Sequence, residues 1–362
     1  MAIGQVMPAN SKTEQPVRGT IMMRGSHWMA TSMAAVALFA SAQVQGKGET
    51  FLDPTKAGPD FAIQGEYTGN VKLDDGKQAK VGVQVIALGD GAFRAVLCRG
   101  GLPGDGWDKK RGGDVDAKQT DGILKLKLNG GQWHATIHDG VIEIADSGGQ
   151  KLGQLKRVIR KSPTLGQKPP PGAVVLFDGK NADEFAGGRM SEDGFLMQGM
   201  TSKQKFLDCK LHFEFRLPFM PSARGQGRGN SGCYLQARHE VQILDSFGLP
   251  EDDSHCGGIY SVGPPAENMC FPPLSWQTYD IEFTAARYDP QGEKTKNALL
   301  TVRHNGVLIQ DNVEVPHATT AAPLKEGPTP QGIHFQDHGN PVRFRNIWVV
   351  PTKAPANADG AS

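Results

Sequence analysis

The sequence predicts an all-β protein, with a small antiparallel β unit followed by a larger two-sheet sandwich. Three observations predict it. Apolar and polar residues alternate along many short segments. Gly and Pro are frequent, at 46 and 24 residues. The alternating segments are separated by Asn-Gly, Asp-Gly and Gly-Gly steps that suit hairpin turns. Side chains on a strand point alternately to opposite faces, so one parity of each segment is available to a packed interior.

The first unit spans residues 61–160. VGVQVIAL and AFRAVLC read as two strands joined at Gly89-Asp90-Gly91, and ILKLKL, WHATI and VIEIA as a three-strand meander turning at Asn129-Gly130-Gly131 and Asp139-Gly140. The glycine-rich RGGLPGDGWDKKRGG lacks the Lys-Ser/Thr and the helix of a phosphate loop, so it reads as a structural or partner-docking loop. His134 and His138 in HATIH lack the Glu of H-E-x-x-H and read as structural. Residues 43–60 read as a loose leader and 161–173 as a Pro-rich linker. The larger unit spans 174–351, with KLHFEFRL, SGCYLQARHEVQILD, WQTYDIEFTA, LLTVRHNGVLI and GIHFQDH as strands and no helix of convincing period. Residues 352–362 read as a disordered tail.

With 39 basic and 38 acidic residues in 362, the chain has a formal charge of +1 and no basic footprint for nucleic acid. Arg18 and Arg24 precede the apolar WMATSMAAVALFASA, which ends in Ala40-Ser41-Ala42. This is a secretory signal pattern, with cleavage expected after Ala42 and Met22 or Met23 as alternative starts. Retention as an anchor is the other reading. A periplasmic or extracellular protein without a membrane span after cleavage is expected; N-terminal sequencing tests it. Five cysteines, Cys98, Cys209, Cys233, Cys256 and Cys270, contain no C-x-x-C, and the odd count leaves one unpaired within the chain.

The stretch RGNSGCYLQARHEVQILDSFG, read as one strand, carries Tyr234, Gln236, Arg238, Glu240 and Gln242 on one parity. Cys233, Leu235, Ala237, Val241 and Ile243 occupy the other, with His239 as the exception. Such a polar row would line a carbohydrate-sized cleft. An ordinary solvated face is the alternative, and is favoured for HFEFRL and QTYDIEF.

LFDGK, NSGCYL, HEVQILDSFG, GGIY, WQTYD, HNGVLIQDNVEV and QDHGNPVRFRNIWV occur in that order. The series resembles the 3-keto-disaccharide hydrolase family, also described as 3-keto-glucoside 1,2-lyase or 3-keto-2-hydroxy-glucal hydratase. The linker and small β unit are similar to exported planctomycete-type members. The chain departs at His239, where the family commonly carries an aromatic residue. The resemblance implies a concanavalin A-like lectin/glucanase jelly-roll sandwich preceded by the small β domain. It also implies cleavage of 3-keto-glycosides by C2 deprotonation, 1,2-elimination and hydration. No NAD would be consumed, since a separate oxidase or dehydrogenase would supply the ketone.

That chemistry needs an acid, a base and a stabiliser for the enolate oxygen. Glu240 and His338 are the candidate acid/base pair, with Asp245 as an orienting or cation-binding group. The alternatives are an ion pair of Glu240 with Arg238 or Arg345, a turn-capping His338 and a turn-forming Asp245. Asn230, Tyr234, Arg238, Gln242, Tyr260, Gln336 and Arg345 are candidate substrate-binding residues. Arg343 or Arg345 would stabilise an enolate or form a surface ion pair, and Trp276 would stack on a sugar or pack in the core. Glu240, Asp245 and His338 would make a mixed oxygen and nitrogen site for a divalent metal. Beside the enzyme stand a non-catalytic lectin-like module and a cell-surface interaction protein docking through its first unit. A conventional glucanase is disfavoured, because Gln242 stands where the middle Asp of E-x-D-x-x-E would be.

Overall fold

The computed structural model describes residues 48–73 and 75–352. The expected signal segment and nearly all of the expected tail lie outside the described residues.

After a short helix, α1 (Gly58–Ile63), the first unit consists of β1 (Gly65–Lys72), β2 (Gln78–Gly89), β3 (Ala92–Arg99), β4 (Arg111–Lys118), β5 (Leu124–Leu128), β6 (Trp133–His138), β7 (Val141–Asp146) and β8 (Lys151–Val158). They form one antiparallel eight-stranded sheet in the order β4-β3-β2-β1-β8-β7-β6-β5, curled so that edge strands β4 and β5 approach each other. Tyr67, Val83, Val85, Phe93, Leu124 and Ile144 fill the interior. The β2–β3 turn lies at Gly89-Asp90-Gly91, where all three residues have positive φ. β1, β4 and β8 were not expected from alternation. Gly69 and Gly153 allow β1 and β8 to approach closely: a Cβ at either would stand under 2.5 Å from the opposite backbone.

The second unit contains β9 (Val174–Phe177), β10 (Phe185–Ala186), β11 (Leu196–Met197), β12 (Met200–Ser202), β13 (Asp208–Arg216), β14 (Ser231–Leu235), β15 (His239–Ile243), β16 (Trp276–Thr284), β17 (Arg287–Tyr288), β18 (Lys294–Lys296), β19 (Ala298–His304), β20 (Val307–Val315), β21 (His334–Phe335) and β22 (Arg343–Thr352). A five-stranded sheet, β10-β12-β21-β14-β15, faces a seven-stranded sheet, β11-β22-β13-β16-β19-β20 with β9 on β22. Their inner parities pack as expected for a jelly-roll sandwich. Phe335 bridges the sheets, with ring centroids 5.1 Å from Phe213 and 4.8 Å from Phe344.

The stretch read as one strand is a hairpin. Gln236 and Ala237 both have φ near +50°, and Arg238 N donates to Leu235 O at 3.1 Å. Neither residue favours that conformation, which costs roughly 1 kcal/mol or more at each. The surroundings hold it: Gln236 donates to Phe206 O and accepts from Arg238, and Leu324 N donates to Ala237 O.

The linker is strapped to the outer face of the seven-stranded sheet. Thr164 Oγ1 donates to Asp280, Ser162 bonds Thr278, and Gly166 N donates to Glu214. The outer polar parity of HFEFRL and QTYDIEF is therefore largely covered by residues 162–167.

The two units also share side-chain packing. Ile86, Val96 and Cys98 join the sandwich core, while Phe219 and Leu274 join the first unit's core. Phe51 and Phe219 exchange backbone hydrogen bonds. Gly248, at φ +71°, stands where a Cβ would meet Ile86 at 2.7 Å. The end of the HEVQILDSFG motif is thus a docking point for β2. Expression of 174–351 alone is expected to give a segment that binds a hydrophobic dye and melts well below the full chain. Equal melting of the two would show that this packing is dispensable.

Candidate functional site

The hairpin places its polar row as a compact cluster. Paired residue numbers across it sum to an even number, so parity is conserved through the turn and Tyr234 stands opposite Glu240, Gly232 opposite Gln242. On the other side of β14, Tyr234 is paired with His334 of β21, and His334 with Thr201 of β12. One line across the sheet therefore reads Glu240, Tyr234, His334, Thr201. Gln336 lies beside it, with N bonded to Gly232 O and Nε2 donating to the Tyr234 hydroxyl at 3.2 Å.

Glu240 is buried, and its Oε1 has no hydrogen-bond partner among the described residues. Burial pushes its carboxyl up to about 8, against a weaker lowering by the Tyr234 hydroxyl. At neutral pH it is a protonated acid. The carboxyl fits there because residue 232 is glycine; a Cβ at that position would lie 2.1 Å from Oε1. His334 is half-buried, and burial lowers its pKa below the ordinary 6.5, so the ring is neutral at pH 7. Its Nδ1 meets Thr201 Oγ1 at 2.9 Å. Its ring centroid lies 5.8 Å from that of Tyr234. An acid and a base with oppositely perturbed pKa values thus flank one phenol.

Two loops border the line. Ile259 bridges Val241, which brings half-buried Tyr260 alongside. Thr319 Oγ1 accepts from Glu240 N, and Thr320 Oγ1 bonds Ser261 Oγ at 3.2 Å, joining the loops.

Of the expected residues, the fold brings together Glu240, Tyr234, Gln242 and Gln336, with Tyr260 at the border. Asn230 precedes β14, its amide nitrogen donating to Gln226 while its Oδ1 is without a partner among the described residues.

The other expected residues are placed elsewhere. His338 lies in an exposed turn past the end of β21, because the strand stops at Phe335. Asp245 has the core-facing parity and is buried against Arg228, whose Nε donates to it at 2.6 Å. Arg238 leaves β15 at the turn and donates to Lys325 O and Thr329 O. Arg345 lies on the outer face of the other sheet, 2.6 Å from Glu214 and over the Trp276 ring at 4.1 Å. Trp276 is therefore remote from the Glu240 line. Neither arginine is ion-paired with Glu240. His239 faces inward, its ring centroid 5.7 Å from that of Phe283 and its Nε2 3.4 Å from Glu326. The departure at that position thus does not touch the polar line.

The mixed metal set of Glu240, Asp245 and His338 is not assembled. Among the described residues no group of three His, Cys, Asp or Glu side chains is placed to hold a metal ion. His334 is the residue that sequence reasoning passed over. It shares parity with Gln336 and His338 in GIHFQDH, and its position inside the strand was the available signal.

A sequence model of the 3-keto-alpha-glucoside-1,2-lyase-like domain matches residues 172–350. A candidate glycosyl hydrolase of Parabacteroides distasonis, known as a crystal structure, is 30% identical over 51% of this chain and 86% of its own, with a TM-score of 0.47. Two others from that organism are 18% and 20% identical, each over 50% of this chain and over 94% and 99% of their own, with TM-scores of 0.36 and 0.35. No curated protein matches the sequence. The family match defines the protein as a carbohydrate-active enzyme. The chain belongs to the 3-keto-alpha-glucoside-1,2-lyase-like family.

Proposed function

We propose that the protein cleaves 3-keto-glycosides by elimination and hydration, with His334 as base and Glu240 as acid. The observation that supports this most is the cross-strand line in which a protonated carboxyl and a neutral imidazole flank Tyr234. A ketone at C3 acidifies the C2 proton. His334 Nε2 takes that proton, and the C–H electron pair forms the enolate. The C1–oxygen bond then breaks as the enolate collapses, and the departing oxygen takes its proton from Glu240. Water adding across the resulting double bond completes net hydrolysis. The Tyr234 hydroxyl is a donor suited to the enolate oxygen, while Gln242 and Gln336 suit sugar hydroxyls. A lectin would have no use for an acid and a base with opposed pKa shifts. The proposal includes an exported protein acting on sugars already oxidised elsewhere.

Incubation with 3-keto-trehalose and with unoxidised trehalose tests this reading. Glucose is expected from the first alone. The rate is expected to plateau and to fall on both sides. Below the lowered pKa of His334 the base is protonated, and above about pH 8 Glu240 loses its proton. Efficient cleavage of trehalose would replace the mechanism with direct glycoside hydrolysis. A rate still rising beyond pH 9 would remove Glu240 as the acid.

A further inference from the structure

We infer that the outer face of the seven-stranded sheet carries an oxyanion-binding site formed by Arg189, Arg216 and Arg343, suited to the carboxylate or sulfate group of an acidic saccharide. The site is on the opposite sheet from Glu240 and does not depend on the proposed reaction.

Arg216 of β13 and Arg343 of β22 are direct cross-strand partners. Like charges directly opposite one another are destabilising. One step along the same pair of strands, Glu214 stands opposite Arg345, and those two form an ion pair at 2.6 Å. The sheet therefore matches charges at one step and opposes them at the next. The row continues in both directions. Arg343 pairs with Met197, whose N–H donates to Arg189 O, and Arg216 pairs with Trp276. Three guanidinium-bearing positions and an aromatic one thus lie in one row.

Few acceptors serve these cations. Arg343 is 7% exposed, its Nε has no partner among the described residues, and its NH1 reaches only its own neighbour, Val342 O, at 3.4 Å. Arg216 Nε is likewise buried and without a partner among the described residues. Its NH2 donates to Asp193, a half-exposed side chain, at 3.2 Å. Arg189 reaches Asp337 at 3.7 Å and donates to Gln198 O. A buried guanidinium is stable only when its donors are satisfied, and paired oxygens of a carboxylate or of a tetrahedral oxyanion match its fork geometry. Phe195 and Trp276, with centroids 4.8 Å apart, lie against Arg216, whose guanidinium stands over both rings, and so hold that cation in place at the end of the row.

Titration calorimetry at constant ionic strength, balanced with sodium chloride, tests the assignment with sodium glucuronate, sodium sulfate and glucose. The full chain is expected to bind the two anions and not glucose. Tighter binding of glucuronate identifies the saccharide, and equal binding identifies a free anion. Arg343→Gln is expected to weaken binding at least tenfold. Because Arg343 is buried, Arg189→Gln serves as the second variant; its side chain is 54% exposed and its removal leaves the packing in place. It is expected to weaken binding severalfold. Absence of an anion signal beyond chloride, or affinities unchanged in Arg189→Gln, would overturn the site.

Discussion

Glu240→Gln is expected to lower turnover of a 3-keto-glycoside by about 10²–10⁴-fold, the usual contribution of a positioned acid. The same substitution is expected to change how stability depends on pH. In the folded protein Glu240 holds its proton up to about pH 8, against an unperturbed value of 4.5. Between those values the unfolded chain releases a proton that the native state keeps. Wild-type stability therefore falls as pH rises from about 4.5 to about 8, then levels off. A Gln has no proton to hold, so this component vanishes in the variant. At 1.36 kcal/mol per pKa unit the full effect is on the order of 5 kcal/mol, with the variant the more stable protein at pH 8–9. Melting curves from pH 5 to 9 and single-turnover rates check both halves. Parallel pH profiles for the two proteins would show that Glu240 is not the buried neutral acid, and full activity would remove it from the mechanism.

Asp245→Ala is expected to destabilise the protein by roughly 3–5 kcal/mol, because it leaves Arg228 as an uncompensated buried charge. Arg228 Nε and Asp245 Oδ2 are 2.6 Å apart with both side chains buried. Arg228 NH1 also donates to Ala87 O of β2 at 3.1 Å, so the pair fastens the hairpin to the first unit. Replacing both, as Arg228→Met with Asp245→Leu, is expected to recover much of the loss, since neither charge then remains buried alone. Thermal melts of the three variants measure this. Specific activity of the single variant below its melting temperature is expected to stay near wild type. An unchanged melt with lost activity would return Asp245 to the reaction.

The sequence determined by itself that the protein is all-β, which parity of the strands with clear alternation faces the core, and that Tyr234, Glu240 and Gln242 share a polar face. Strand alternation is a local property of the backbone, and it survived an unrecognised turn because the hairpin pairs Tyr234 with Glu240, positions separated by an even number of residues. Turns built from Gly-Asp-Gly were legible for the same local reason. The turn at Gln236-Ala237 was not, because neither residue favours positive φ and the conformation is held by Phe206, Leu324 and Arg238. Only the tertiary structure decided which polar residues meet. His334 joins Glu240 and Tyr234 because β21 lies beside β14, a pairing of segments about 100 residues apart. His338, four residues on and of the same parity, falls beyond the strand's end. Asp245 and Arg345 carry charges suited to a site, but Asp245 answers Arg228 and Arg345 answers Glu214. Charge partners are chosen by what is adjacent in space, and one-dimensional spacing does not encode that adjacency.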